Sequence, residues 1–199
     1  MTNETLIKDL EAASAIARSA EASPLLGKPF SLMWGLLLTL VLGLQYTLLE
    51  QIITAPLYWI AVLWIAFGVI GGIGNVVIGR RQDAMAGSNS TGNKVENSVW
   101  IMFAAVMATA FLAAIASIVL GLQDQTVWGL IVVFGFLGQG LAYGTTTRIQ
   151  SSGIVTFSGI AALIAGAVAL TVHDKTTVYL VGAIGSFVAL VVPSLLRKG

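Results

Sequence analysis

Six stretches of about twenty residues contain no Asp, Glu, Lys, Arg or His, and this pattern constrains the fold more than any motif does. They lie at residues 30–49, 56–79, 98–121, 127–147, 153–172 and 177–196. Roughly 20 apolar residues suffice for a helix to cross the hydrocarbon of a bilayer. The chain is 57% hydrophobic and 10% charged, against about 25% charged in soluble domains. A soluble fold of 199 residues could not bury that much apolar surface, so a cytosolic enzyme, a disordered protein and a secreted module are excluded. The expected fold is an all-α polytopic membrane bundle of six transmembrane helices arranged as three hairpins. Residues 1–28 form a cytoplasmic N-terminal helix and linker, and residues 29–199 form the transmembrane domain.

The prolines agree with these limits, because proline lacks the donor that a helix interior needs. Pro24 and Pro29 precede the first span, Pro56 opens the second, and Pro193 falls in the last turn of the sixth. Asn97 and Thr126 are expected to cap spans three and four. Trp34, Tyr46, Trp59, Trp100, Trp128, Tyr143 and Tyr179 lie near span ends, where amphipathic rings meet the headgroups, whereas Trp64 lies deeper.

Orientation follows from Lys and Arg, which are retained on the cytoplasmic side. Lys8, Arg18, Lys28, Arg80, Arg81, Lys94, Arg148, Arg197 and Lys198 all fall on one side, and Lys175 alone falls on the other. A multi-pass protein of the bacterial inner membrane with both termini cytoplasmic is expected. The polar first 29 residues lead to the expectation of no cleavable leader.

In the N-terminal segment, Leu6, Leu10, Ala13, Ala17 and Ala20 are spaced four, three, four and three residues apart, which is one helical stripe. Glu4, Asp9, Glu11 and Glu21 outweigh Lys8 and Arg18 by two charges. The segment therefore lacks the basic face of a membrane-surface helix; a protein partner or self-packing suits it better, and a solvated helix leaning on the bundle is the plain alternative. The loop 80–97 is small and polar and reads as a flexible linker, with Arg80 and Arg81 within reach of anionic headgroups. Its Asn89-Ser90-Thr91 sequon is inert on the cytoplasmic side.

The even-numbered spans share a glycine pattern. Phe67-Gly68-Val69-Ile70-Gly71 matches Phe134-Gly135-Phe136-Leu137-Gly138, and Gly182-Ala183-Ile184-Gly185 follows in span six. A triplicated hairpin with its even helices at the centre would produce this, and so would chance matches in a chain with 22 glycines. Helices in lipid associate through close backbone approach, so Gly68, Gly71, Gly72, Gly135, Gly138, Gly140, Gly144, Gly182 and Gly185, with the Ala162 and Gly166 pair, are expected to pack within the bundle. A homo-oligomer interface is the competing use of the same faces.

Chemistry is sparse. With no cysteine, disulfides and thiol catalysis are excluded. The spans hold no charged group of the kind that marks proton relays and voltage sensors. The single histidine, His173, sits beside Asp174 and Lys175 in a short outer loop and reads as a polar loop residue. Neither a GxSxG elbow nor a phosphate-binding glycine loop is present. No cofactor, no metal, no enzymatic activity and no direct nucleic-acid binding are expected. Asn75 and Gln139 stand out among the polar residues, because amides must turn away from hydrocarbon; hydrogen bonding between helices is their first reading, and lining a small polar cleft with Tyr143 is the second.

Pro24-Leu25-Leu26-Gly27, Phe30 and Leu32-Met33-Trp34-Gly35 resemble the juxtamembrane segment of small uncharacterised proteobacterial six-helix inner-membrane proteins. The hairpin layout also resembles the acid-resistance membrane protein family, from which the long N-terminal helix and the glycine-rich loop depart. The expected function is a non-enzymatic accessory, scaffold or regulatory subunit with membrane lipids around it and a protein partner or second copy beside it. The alternative is a passive channel or carrier for a small neutral or lipid-like solute.

Overall fold

Lys28 and Pro29 occupy the first turn of a helix, where a missing backbone donor costs nothing, and that helix opens the bundle. The computed structural model describes residues 5, 7–11, 14, 26–85, 87–121, 126–149, 152–172 and 174–196. Among the described residues, six helices are long and apolar enough to cross a membrane. They are α1 (Lys28–Leu49), α2 (Tyr58–Asp83), α3 (Thr91–Val119), α4 (Thr126–Ile149), α5 (Gly153–Thr171) and α6 (Thr177–Leu196). No strand occurs among the described residues. The chain is an all-α, multi-pass integral membrane protein.

Each helix packs against the one it is joined to in the expected hairpins, α1 on α2, α3 on α4 and α5 on α6. The α4–α5 pairing is the most extensive contact and links the second hairpin to the third; the α1–α6 pairing links the third to the first. The expectation that all even helices are central is corrected. Of the apolar stretch of α6, 61% is buried, against 6% for α2 and for α3. Helix α6 is the hub, touching α1, α4 and α5, while α2 packs on α1 and α3 on α4, away from it.

Two boundaries differ from expectation for a local reason. Helix α2 continues through Arg80 and Arg81 to Asp83, since charged side chains beyond the hydrocarbon do not oppose helix. Helix α3 begins at Thr91 because the Ser90 hydroxyl accepts the Asn93 N–H at 3.3 Å, the N-cap arrangement that satisfies a first-turn donor. Asn97, the expected cap, is therefore inside the helix, and the linker expected over 80–97 shrinks to 84–90. Thr126, the other expected cap, is the first described residue of helix α4 and is itself helical.

Pro193 shapes α6. It cannot donate to the Ala189 carbonyl and its ring crowds that oxygen. The helix widens into a π turn over Phe187–Val191 and resumes at Val192. Gly35 of α1 lies against this wide turn: a Cβ there would come within 2.6 Å of Leu190 Cβ and 3.2 Å of the Val191 backbone nitrogen.

The core is apolar and aromatic, with Val41, Leu42, Val132, Phe136, Tyr179 and Ala183 at its centre and Trp64, Phe67 and Trp128 packed around it. An edge-to-face series of rings runs from Trp34 to Phe67 to Trp64, with centroids 5.2 Å apart at each step. Such pairs add about 0.5–1.5 kcal/mol beyond their burial.

Candidate functional site

Residues 26–35 form the seam of the bundle. Leu26, just before α1, has both backbone groups engaged by other elements. Its N–H donates to Asn93 Oδ1 of α3 at 2.9 Å, and its carbonyl accepts from Gln82 Nε2 of α2. Gly27 lies so close to the Glu96 carboxyl that a Cβ would collide with it. Next in the chain, Met33 and Trp34 fill the space left by Gly74 and Gly71 of α2, and Gly35 meets the π turn of α6. Trp34 Nε1 donates to Asn75 Oδ1 at 3.0 Å.

Around Leu26 is a polar junction that the sequence did not disclose. Asn93 is 8% exposed and Glu96 7%, although both stand in a stretch expected to be a solvated linker. Asn93 Nδ2 donates to the Gly87 carbonyl at 2.9 Å and to Ser90 Oγ at 3.0 Å, which ties the 84–90 turn to the start of α3. The readable signal was Ser90 three residues before Asn93, a cap pattern.

Beside this junction, Tyr143 donates to Ser31 Oγ at 2.9 Å and edges against Trp100, with ring centroids 5.1 Å apart. A cavity of about 20 Å³ lies here among Lys28, Ser31, Tyr143, Ser158 and Ser194. That volume holds about one water molecule. These five polar residues thus line one small cavity where α1, α4, α5 and α6 converge, next to Pro193.

Asn75, Gln139 and Tyr143 do not form the single cleft expected of them. Asn75 is exposed on α2, which packs chiefly on α1, and its amide is taken by Trp34. Tyr143 belongs to the Ser31 cavity. Gln139 is buried in α4, and its Oε1, like the Ser186 Oγ that precedes the π turn of α6, has no hydrogen-bond partner among the described residues. Leaving such a group unpaired costs about 1–3 kcal/mol.

The glycines divide by helix. Gly138 faces Phe103, Gly182 faces Leu42 and Val132, and Gly185 faces Ala165 and Phe136, each closer than a Cβ would allow without adjustment. Gly135 is looser, with Met107 3.5 Å from where its Cβ would be. Gly140 sits under Leu163, and Gly144 brings its backbone nitrogen within 3.6 Å of a Cβ placed on Gly159. Gly71 is covered by Trp34, but a Cβ on Gly68 or Gly72 would meet nothing within 4 Å. The small-residue face of Gly68 and Gly72 is therefore turned away from the bundle, since α2 contacts α1 through its other side.

In the other half of the bundle, Trp64 Nε1 donates to Gln45 Oε1 at 2.8 Å, and the Tyr179 hydroxyl interacts with the same Gln45. At that end Thr176 donates to Glu50, joining the loops before α6 and after α1. Asp174 accepts from the Thr177 hydroxyl and the Thr176 N–H, and shares the single Thr176 hydroxyl proton with Glu50. The Thr177 hydroxyl first, then Thr176, holds the Asp174 carboxyl below the usual carboxylate range.

Of the five expected docking residues, only Leu10 lies among the described residues; Leu6, Ala13, Ala17 and Ala20 lie outside them, as do His173, Arg197 and Lys198. Residues 7–11 are helical. Leu10 is 67% exposed, and Ile7 shares that exposure at 56%. No family model matches the chain, and no curated protein and no solved structure matches it either.

Proposed function

We propose that this chain is a non-enzymatic accessory, scaffold or regulatory subunit of the bacterial inner membrane, holding a partner protein through its N-terminal helix, with both termini cytoplasmic. One observation carries the reading: the point where the N-terminal segment enters the membrane domain is clamped. Both backbone groups of Leu26 are bonded to α2 and α3, and Glu96 closes on Gly27. A segment anchored this way transmits force and position from whatever it binds to the helices below it. Ile7 and Leu10 present apolar surface ahead of that anchor. Kinship with the six-helix inner-membrane proteins, proposed on the Leu26–Gly35 segment, fits the same reading, since those residues form the seam.

The test is a pull-down in mild detergent comparing the intact protein with one lacking residues 1–22. The expected result is a partner that is lost on truncation while the membrane domain stays folded. Identical partner sets would refute docking through the segment.

A passive carrier for a small neutral solute is the second reading. It is favoured by Gln139 Oε1 and Ser186 Oγ, two unpaired polar atoms buried in spanning helices. Liposome flux that falls in Gln139→Leu supports it, and absence of flux in the wild type rejects it.

A further inference from the structure

We infer that the outer face of α4 and α5 is a binding site for one anionic phospholipid of the leaflet on the basic side, with an acyl chain in the groove and the phosphate at Arg148. A groove of about 630 Å³ runs along this face, lined by Leu137, Gly140, Leu141, Gly144, Leu163 and Arg148. Its volume falls within the roughly 300–1,000 Å³ typical of small-ligand sites. From Leu137 to Arg148 the helix rises about 16 Å, at 1.5 Å per residue. That is close to half of the ~30 Å hydrocarbon thickness, the depth of a single leaflet.

The two ends differ in chemistry as a lipid does. Leu137, Leu141 and Leu163 are 37%, 72% and 46% exposed, so the deep part offers aliphatic side chains. Thr145, which also borders the groove, turns its hydroxyl back onto the Leu141 carbonyl at 2.9 Å, and so leaves this wall apolar. Gly144 has open space where a side chain would stand, which makes the hollow. At the mouth the lining ends in the exposed guanidinium of Arg148, a donor that pairs with phosphate in two-pronged geometry. The depth suits an acyl chain, and the charge of Arg148 selects an anionic lipid over a zwitterionic one. The inference rests on the membrane placement of α4 and α5 and not on docking by the N-terminal segment.

The test is native mass spectrometry of the full chain in mild detergent, with phosphatidylglycerol or phosphatidylcholine added. The wild type is expected to retain phosphatidylglycerol about fivefold better, the effect of one basic residue at a membrane surface. Arg148→Gln brings the ratio to one, and Arg148→Lys keeps it above one. Gly144→Leu, at a position where an added Cβ meets nothing within 4 Å, fills the hollow and lowers retention of both lipids, and excess glycerol phosphate displaces neither. Unchanged melting of these variants confirms that they fold. Equal retention of the two lipids by the wild type, full retention by Gly144→Leu, or displacement by glycerol phosphate would overturn the inference. So would a lipid-free dimer that Gly144→Leu abolishes, since a second copy would then occupy the groove.

Discussion

Adding one methyl group to Gly35 and one to Gly72 makes the same covalent change in two spanning helices, yet the outcomes should differ. At Gly35 the new Cβ would stand 2.6 Å from Leu190 Cβ and 3.0 Å from Val191 Cγ2. Leu190 Cβ is fixed to the backbone of the π turn, so no rotamer change relieves the contact and α1 must move off α6. Overpacking of this kind costs about 1–3 kcal/mol. At Gly72 nothing lies within 4 Å. Both changes gain about 1 kcal/mol of helix propensity, which cancels in the comparison and leaves the steric cost alone. For a chain of this length the difference corresponds to roughly 3–10 °C between the two apparent melting temperatures. Thermal unfolding in detergent, followed by far-ultraviolet circular dichroism, measures it. Equal melting temperatures would refute the close approach of α1 to the π turn. Greater damage from Gly72→Ala would show instead that a partner covers the outer face of α2.

A double-mutant cycle on Trp64→Phe and Gln45→Leu should give a coupling of about 0.6 kcal/mol, and additive effects would mean that the Nε1 bond to Gln45 is not formed. The lowered Asp174 carboxyl adds stability that is fully present above about pH 4, where the unfolded carboxylate is ionised, and is lost as the pH falls through the lower native value. Melting should therefore decline on acidification below about pH 4 more steeply in the wild type than in Asp174→Asn, and equal slopes would remove Asp174 from the account. Because the chain has no cysteine, Asn89→Cys and Thr54→Cys can each carry a single label. An impermeant maleimide should reach Thr54→Cys in intact cells and Asn89→Cys only after lysis, and the reverse would invert the proposed orientation.

The number, order and approximate limits of the spans were legible because the hydrocarbon excludes charge from every turn, so the signal adds over some twenty residues. Glu96 and Asn93 were not, since their burial depends on Leu26 and Gly27 arriving from 67 and 69 residues away in the chain. The three amide and phenol groups expected to share one cleft were separated because each had a nearer partner or none, which composition along one helix does not encode.

From the order of residues alone follow an all-α membrane domain, three hairpins and the segregation of basic residues, because each is a property of one segment facing one solvent. The hub position of α6 and the outward turn of Gly68 and Gly72 came only with the assembled helices. So did the π turn against Gly35 and the groove ending at Arg148. In lipid every spanning helix is equally content on any apolar face, so the choice among faces is made by which surfaces approach most closely, and that is a relation between helices.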